Sequence, residues 1–530
     1  MRFRSVIREW IVPFAQPTLF AVIPPVSLLA ANLGELTGIE LLRPLLASLA
    51  LAFFSFLMSW LILRDRARAG IASALATVLL LSYGHLYDGL KTLGIPGETL
   101  VRHRFLAPVL IGLGLVGVWL IARLKRSGEG GLVIVVVGLS ALVLPVSSIV
   151  QYSVEAQQLS PSSTTANVQC DLDLAPGDQA PDIYIVIMDA YERSDVLRAV
   201  HGFDNSSFLD QLRDLGFYVA DGAMSNYRFT VLSLSSMLNM DYVQAYPELY
   251  DPNGRNWWPF AQMIRDNRVR RELACLGYTT VAIDSGVFWT NWDDSDYYLA
   301  RTGDPLRRVG MLGGVSRAES LFLDTTFARV ALDAVRQTGG LGLPGGLDPD
   351  SMHRETVLYA FDQLSRLPSL PSPKLVYVHI LSPHPPMVFG QEAGTRGIGD
   401  FDAEFSSDDQ TALRAYGDQV AYLNARLLEA MQAILQSSPN PPVILLTADH
   451  GWAERDAEDK HSILHAYFLP ENGALALYPT ITPVNSFRLI FDLYFGTSLG
   501  LLPDQSYYST LDDRFNFRLV ENSWLGSGDS

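Results

Sequence analysis

Residues 181–191 carry the sequence PDIYIVIMDAY, in which a run of apolar residues is enclosed by two aspartates. A short run that is apolar on both faces and rich in β-branched residues is typical of a strand buried in a parallel sheet. Similar runs occupy residues 279–283, 375–380 and 443–446, and helical patterns occupy 207–215, 354–364 and 408–435. This alternation predicts an α/β domain with a mainly parallel sheet.

Polar residues follow each predicted strand closely. Asp189 follows the first, Asp284 the second, His384 the third, and Asp449 and His450 the fourth. In open α/β sheets the ligand site lies beyond the carboxyl ends of the strands, so these residues are candidates for a site. An aspartate after a strand also serves as a turn residue or helix cap, which is our interpretation of Asp284. An adjacent carboxylate and imidazole form half of a metal site.

The N-terminal part of the chain contains five apolar stretches, each close to the roughly 20 residues that cross the hydrocarbon of a bilayer. The first is interrupted by prolines and followed by further spans, which argues against a signal peptide. We therefore predict a transmembrane domain of five helices over residues 1–152. The stretches are 10–33, 44–63, 71–87, 105–122 and 131–150.

The charges between these stretches predict their orientation. Basic joints remain cytoplasmic, and here they precede the first span and follow the second and fourth. The N-terminus is then inside, and everything after residue 150 lies outside the plasma (inner) membrane. Residues 153–180 have the composition of a linker, and 181–530 would form the extracytoplasmic domain. The basic residues are Arg2, Arg4, Arg8, Arg64, Arg66, Arg68, Arg123, Lys125 and Arg126.

The charge distribution and the two cysteines argue against a nucleic-acid partner and against a zinc finger. Up to Tyr152 the chain has 13 basic and 7 acidic residues, and the remaining 26 basic and 49 acidic residues give a net charge of −23. The acidic part has no basic run, which argues against nucleic acid as a partner. Cys170 and Cys275 form no zinc-finger pattern. They are either one disulfide outside the cytoplasm or two unrelated thiols.

Several segments in sequence order resemble the alkaline phosphatase/sulfatase superfamily, and within it the membrane-anchored, sulfatase-like group that includes lipoteichoic acid synthase. The resemblance covers roughly residues 181–470, and the five-span N-terminal half fits the same architecture. The segments are PDIYIVIMDAY (181–191), AMSNY (223–227) with Thr230 and LSLSSMLNM (232–240), HILSPHPP (379–386), DHG (449–451) and ILHAYFLP (463–470).

The resemblance implies one divalent metal ion, Mn, Mg or Zn, held by Asp189, Thr230, Asp449 and His450. It also implies that Thr230 is the nucleophile and that His384 binds the transferred group or a leaving oxygen. A threonine hydroxyl is a poor nucleophile at neutral pH, and coordination to a metal lowers its pKa. The alternative for Thr230 is a hydroxyl that caps the helix after it.

The sequence departs from the family pattern in three places. Neither Cys170 nor Cys275 begins the Cys/Ser-x-Pro-x-Arg motif of sulfatases, which disfavours sulfatase activity. Two-metal phosphatases of the superfamily use further Asp and His ligands, and this sequence has no convincing second set. His461 and His465 are candidates for a second metal, but a mononuclear site is the simpler interpretation. Glu192 stands where a small residue is expected.

These observations leave three hypotheses of function. The leading one is a phosphoryl-group transferase or phosphodiesterase that acts on a membrane lipid or an envelope polymer at the outer face of the membrane. The first alternative is a hydrolase of sulfate or phosphate esters, and the second is a catalytically inactive protein that organises the cell envelope.

Four tryptophans of the second part of the chain form an aromatic group that could line an acceptor groove or belong to the core. They are Trp257, Trp258, Trp289 and Trp292.

Overall fold

The structure, a computed structural model, describes residues 10–33, 36, 38–92, 102–124, 128–159, 170–175, 180–301, 317–337, 349–390, 410–453 and 455–526. Arg2, Arg4, Arg8, Lys125, Arg126 and the linker segments 160–169 and 176–179 lie outside these residues. The chain divides into two compact units, 1–155 with 304–349 and 156–303 with 350–530. Residues 304–349, which the sequence assigned to the extracytoplasmic domain, thus belong to the first unit.

The helices of both units are numbered here in chain order. They are α1 (Val12–Ala31), α2 (Leu42–Leu63), α3 (Arg66–Leu81), α4 (Tyr83–Thr92), α5 (His103–Ala122), α6 (Gly128–Leu159), α7 (Ser194–His201), α8 (Ser206–Asp214), α9 (Thr230–Asn239), α10 (Trp258–Arg265), α11 (Arg268–Cys275), α12 (Arg317–Thr325), α13 (Arg329–Gln337), α14 (Pro349–Leu364), α15 (Gln410–Ser437), α16 (Ala457–His461) and α17 (Ser486–Tyr494).

The first unit contains the apolar helices that the sequence predicted. Among the described residues, α1, α2, α5 and α6 are each long and apolar enough to cross a membrane. The predicted third span is a broken pair, in which α3 and α4 meet at an angle of 48°. Counting that pair as one span gives five, in agreement with the sequence. The unit exposes many large apolar side chains, as a lipid-facing surface does.

The pair α12 and α13 belongs to the first unit because its charged side chains are bound there. Glu319 of α12 pairs with Arg43 at 2.9 Å. Arg329 of α13 donates to both carboxylate oxygens of Asp88 at 2.8 Å. Asp333 lies 2.6 Å from Nε2 of His103. These contacts lie at the start of α2, in α4 and at the start of α5, so the three positions lie on one side of the unit.

The second unit is built on a seven-stranded sheet, and its strand order is β2-β7-β6-β1-β5-β3-β4. Strand β1 pairs in parallel with β5 and β6, and β3 pairs in parallel with β5 and β4. Only the pairings of β7, with β6 and β2, are antiparallel. The predicted α/β class is therefore confirmed. The strands are β1 (Ile183–Met188), β2 (Tyr218–Val219), β3 (Thr279–Ile283), β4 (Tyr297–Leu299), β5 (Lys374–Ile380), β6 (Val443–Ala448) and β7 (His465–Phe468), and a separate hairpin contains β8 (Ser506–Tyr508) and β9 (Arg518–Val520).

The core lies on the two faces of this sheet. All six residues of β1 are fully buried, since neighbours on both sides and helices on both faces cover a central strand. Buried residues of α8, α14, α15 and α17 belong to the same apolar cluster. Burial of both faces explains why β1 has no polar alternation in its sequence.

The amino ends of the strands and the linker are fixed by polar contacts. Lys374, which is fully buried, donates to the carboxylate of Asp182 at the start of β1. The chain that leads into the unit is held to α11 by a disulfide between Cys170 and Cys275. The Glu272 carboxylate also accepts the backbone N–H groups of residues 171 and 172. Of the two alternatives that the sequence left open, the structure has the disulfide.

Candidate active site

The carboxyl edge of the sheet brings the predicted site residues together. Asp189 follows β1, His384 follows β5, and Asp449 and His450 follow β6. Because β1 pairs in parallel with both β5 and β6, the ends of the three strands are adjacent. Asp284 follows β3 at the same edge, but its Oδ1 accepts the N–H of Gly286 and the amide of the Asn291 side chain, as a turn residue does.

The two carboxylate oxygens of Asp449 have different surroundings. Its Oδ1 accepts the backbone N–H of Ala190 at 3.0 Å and that of His450 at 2.9 Å. Its Oδ2 is buried and makes no hydrogen bond to the described residues. The first oxygen therefore fixes the turn after β1 to the turn after β6. The second is directed into the site, where an unpaired anionic oxygen is costly unless a cation binds it.

The tautomer of His450 follows from its hydrogen bonds. Nδ1 lies 2.8 Å from the carbonyl oxygen of Gly451, which can only accept, so Nδ1 carries the proton. Burial lowers the pKa of His450, which favours the neutral ring. Its Nε2 then presents a lone pair toward the site, 3.5 Å from Oδ2 of Asp449 and 3.9 Å from Oδ1 of Asp189.

Asp189 is a buried carboxylate surrounded by imidazoles. Burial alone would raise its pKa, but His384, His379 and His450 together hold that pKa well below its ordinary value. Its Oδ1 is buried and makes no hydrogen bond to the described residues. Asp189 is therefore ionised over the whole physiological pH range, and one of its oxygens is directed at the same space as Oδ2 of Asp449.

These residues fit the single divalent ion that the resemblance implies. One ligand atom from each of Asp189, Asp449 and His450 lies within 4.8 Å of the other two, and this is the one such group among the described residues. Two carboxylate oxygens without hydrogen bonds and an imidazole lone pair are ligands that Zn and Mn accept. His461 and His465, the candidates for a second ion, have both ring nitrogens within hydrogen-bonding distance of other groups.

Thr230 is the first residue of α9 and lies next to this group. Its Oγ1 is 3.1 Å from Nε2 of His450. Such a separation is expected of neighbouring ligands on one ion whose bonds are about 2 Å long. Thr230 is half-buried, whereas the serines that follow it in α9, Ser233, Ser235 and Ser236, are buried. Ser235 and Ser236 donate to backbone carbonyls, whereas Oγ1 of Thr230 lies beside His450.

The C-terminal hairpin fixes the segment that leads to Thr230. The Asn226 carbonyl accepts the N–H of Tyr507, and the Asn226 amide donates to the carbonyl of Gln505. Ser225 donates its backbone N–H to the carbonyl of His461 at 2.7 Å. The start of α9 is thus bound both to the hairpin and to α16, which limits movement of the threonine hydroxyl.

Two further histidines border Asp189. His384 is half-buried, and its Nδ1 lies 2.8 Å from the Pro385 carbonyl, which leaves Nε2 for another partner. Its ring centre is 6.4 Å from that of His450. His379, inside β5, lies 3.4 Å from Oδ2 of Asp189 with both ring nitrogens buried. Sequence reasoning assigned no role to His379, because a histidine inside a buried strand carries no signal in its spacing.

The aromatic group divides between core and surface. Trp292 is fully buried and stacks on Tyr377 at 4.2 Å, and Trp257 is 5% exposed. Trp258 and Trp289 are half-buried. Trp257 packs against Phe229, the residue before the threonine of the site. Two of the four tryptophans are therefore core residues.

Comparison with known proteins finds similar solved structures only. The chain matches no protein-family model and no curated protein. The zinc complex of the C-terminal periplasmic domain of EcEptC from Escherichia coli covers 68% of this chain and 98% of its own, at 12% identity and a TM-score of 0.43. The integral membrane lipooligosaccharide phosphoethanolamine transferase A from Neisseria meningitidis covers 92% and 95%, at 12% identity and 0.38.

A third similar structure comes from the group that the sequence motifs resemble. Lipoteichoic acid synthase LtaP from Listeria monocytogenes covers 69% of this chain and 82% of its own, at 13% identity and a TM-score of 0.37. Identities and scores this low indicate a similar fold and do not assign a function to this chain.

Proposed function

We propose that this protein is a metal-dependent phosphoryl-group transferase or phosphodiesterase that acts on lipid head groups at the outer face of the membrane. One observation carries the proposal. The unpaired, buried oxygens of Asp189 and Asp449 converge with the lone pair of His450 beside the hydroxyl of Thr230. A protein with only a structural role would have no reason to bring these four groups together.

A bound divalent ion would neutralise charge on the phosphoryl group and lower the pKa of the threonine hydroxyl. Asp189, Asp449 and His450 would hold that ion, with Thr230 as a fourth ligand. Oγ1 of Thr230 then forms a bond to phosphorus while the bond from phosphorus to the leaving oxygen breaks. The threonine proton is lost to solvent, and the leaving oxygen is protonated to an alcohol.

The surrounding residues suit the charge that develops in this step. The first N–H groups of a helix have no partner within the helix and favour an anion, and Thr230 begins α9. His384 borders the site with its Nε2 available, so its imidazolium form can protonate the leaving oxygen. In the second step the oxygen of an acceptor hydroxyl, or of water, bonds to phosphorus while the bond from phosphorus to Oγ1 breaks, and the proton that the attacking group loses restores the threonine hydroxyl.

The lipid substrate and the outer location are supported by the first unit. Arg43, Asp88 and His103 lie on one side of the first unit, at the start of α2, in α4 and at the start of α5. Arg64, Arg66 and Arg68 lie between α2 and α3, at the opposite ends of these helices, and basic joints remain in the cytoplasm.

The decisive experiment measures metal and a covalent adduct in the same preparation. Purified protein is expected to contain about one divalent ion per chain, and mass spectrometry after a phosphodiester donor is expected to find the phosphoryl group on Thr230. Protein without metal and without turnover would favour the inactive envelope protein. Turnover of soluble phosphate or sulfate esters, with none of a lipid donor, would favour the ester hydrolase.

The topology gives a separate prediction. A reporter fused after Val150 should be active only outside the cytoplasm, and one fused after Ser127 only inside, because the basic joint precedes the last span. Paired alkaline phosphatase and green fluorescent protein fusions measure both cases. A cytoplasmic signal from the fusion after Val150 would contradict the span count and the outer location together.

A further inference from the structure

Glu192 is a buried carboxylate that the proposed reaction does not use. It follows Asp189 by three residues and is 0% exposed. Its Oε1 accepts the backbone N–H groups of Trp452, at 3.1 Å, and of Ala453. Its Oε2 lies 2.6 Å from Nε2 of His201. A charged side chain is rarely buried without such compensation, so these bonds fix its position.

The two backbone groups that Glu192 binds belong to the turn of the metal ligands. Trp452 and Ala453 follow directly after Asp449, His450 and Gly451. This turn has no spare room, because a Cβ atom on Gly451 would lie 2.8 Å from the carbonyl oxygen of Asp459 and 3.3 Å from Cγ of Glu192. Glu192 therefore fixes the C-terminal end of the turn, and the N-terminal end of the same turn carries Asp449 and His450.

The backbone of Glu192 is bound to the other ligand turn. Its N–H donates to the hydroxyl of Tyr416 at 3.2 Å, and that hydroxyl donates to the carbonyl of Ala190 at 2.6 Å. Ala190 has a positive φ of 62° and gives its own N–H to Asp449. Positive φ is strained for alanine, so neighbouring contacts must maintain this conformation.

His201 completes the surroundings of the carboxylate. Its Nδ1 donates to the Leu413 carbonyl at 3.1 Å, which directs Nε2 at Glu192. The ring stacks on Tyr416 at 4.4 Å and on Trp452 at 5.8 Å. The pair is thereby held by α7, by α15 and by the turn after β6.

We propose that Glu192 is a positioning residue that sets the separation between Asp189 and the pair Asp449 and His450, and so sets the affinity of the site for a divalent ion. The inference rests on the metal site of the proposed function. It adds a residue that would never touch the ion or the substrate and acts only through the two turns. Loss of an outer partner of metal ligands typically lowers metal affinity about 10- to 100-fold.

The test compares the metal affinities of three variants by direct titration with Mn²⁺ and with Zn²⁺ in equilibrium dialysis. Glu192→Ala removes both acceptors and should weaken binding about 10- to 100-fold. Glu192→Met keeps most of the volume but accepts nothing, and should weaken binding equally. Glu192→Gln should remain close to the parent protein. Its amide oxygen can accept the same two N–H groups, and its NH₂ can donate to Nε2 of a neutral His201.

Asp182→Ala is the matched control. Asp182 is also a buried carboxylate that accepts one backbone N–H and pairs with a buried cation, Lys374. It lies at the opposite end of β1, so its loss should destabilise the fold without changing metal affinity. At a saturating concentration of metal, the activity of Glu192→Ala should approach that of the parent protein, since the ligands and Thr230 remain.

The outcomes separate this inference from the proposed function. Absence of metal binding in the parent protein would overturn both the inference and the proposed function. Parent-like affinity in folded Glu192→Ala or Glu192→Met, or an equal loss in Glu192→Gln, would overturn the inference alone. If neither apolar variant folds while Glu192→Gln and Asp182→Ala do, Glu192 has a purely structural role, and the inference is likewise overturned.

Discussion

Thr230→Ala is expected to reduce turnover of a phosphodiester donor by roughly 10⁴- to 10⁶-fold, since loss of single members of a catalytic triad costs from about 10⁴-fold to about 10⁶-fold. The hydroxyl of Thr230 lies at the site, 3.1 Å from Nε2 of His450. Asp189, Asp449 and His450 remain in this variant. Metal affinity should therefore fall much less than turnover does.

Two further variants show whether the loss is due to the oxygen. Thr230→Ser keeps the oxygen and loses only a methyl group, so it should retain part of the activity. Ser236→Ala is the matched control, because this hydroxyl belongs to the same helix but donates to the Asp241 carbonyl at 2.7 Å. It should leave turnover close to that of the parent protein.

Mass spectrometry decides between covalent and direct mechanisms. A phosphoryl adduct on Ser233, Ser235 or Ser236, or a Thr230→Ala enzyme that still turns over, would rule out Thr230 as the nucleophile. If Thr230→Ala is inactive but the parent protein never forms an adduct, Thr230 acts only as a ligand. Water would then attack phosphorus directly.

The central strands could be predicted from sequence because their burial leaves a local signature. The bounds of β1 and β3 agree with the prediction at both ends, and β5 and β6 differ by one or two residues. Strands β2, β4 and β7 are short or carry polar residues and were not predicted. The position of α12 and α13 in the first unit was also missed, because it depends on ion pairs between residues distant in sequence, such as Arg329 with Asp88.

The candidate site could be predicted in part because the strands that carry it have a local signature in the sequence. Asp189, Asp449 and His450 stand at strand ends, and the parallel topology brings them together. Glu192 differs, because it was noted only as an unexpected residue. Its partners Trp452 and Ala453 offer backbone N–H groups, which carry no sequence signal. Their contact with Glu192 exists only after both turns have folded.

Asp449→Asn is expected to lower metal affinity by more than about 100-fold, since loss of an outer partner alone costs about 10- to 100-fold. The substitution is selective. Oδ1 can still accept the N–H groups of Ala190 and His450, so the turn should persist. Only the unpaired oxygen Oδ2 becomes an NH₂ group, which cannot bind a cation and can instead donate toward Asp189.

The difference between the hydrogen-bonded Oδ1 and the unpaired Oδ2 of Asp449 also predicts how a bound metal ion affects the stability of the fold. In the parent protein, two unpaired carboxylate oxygens share one buried space, and a bound ion should relieve their repulsion. At a free metal concentration of 100 times Kd, binding stabilises the folded state by about 2.7 kcal/mol, so the thermal midpoint should rise. Asp449→Asn should be at least as stable as the metal-free parent and should gain nothing from metal.

Asp284→Asn is the matched control for this measurement. Asp284 also ends a parallel strand at the same edge of the sheet, but its Oδ1 already accepts two hydrogen bonds, from Gly286 and Asn291. The variant should bind metal and gain stability as the parent does. Equal metal-induced stabilisation of Asp449→Asn would show that the ion binds elsewhere. Equal loss in Asp284→Asn would show that any strand-end carboxylate disturbs the fold, and the unpaired oxygens would then no longer identify the site.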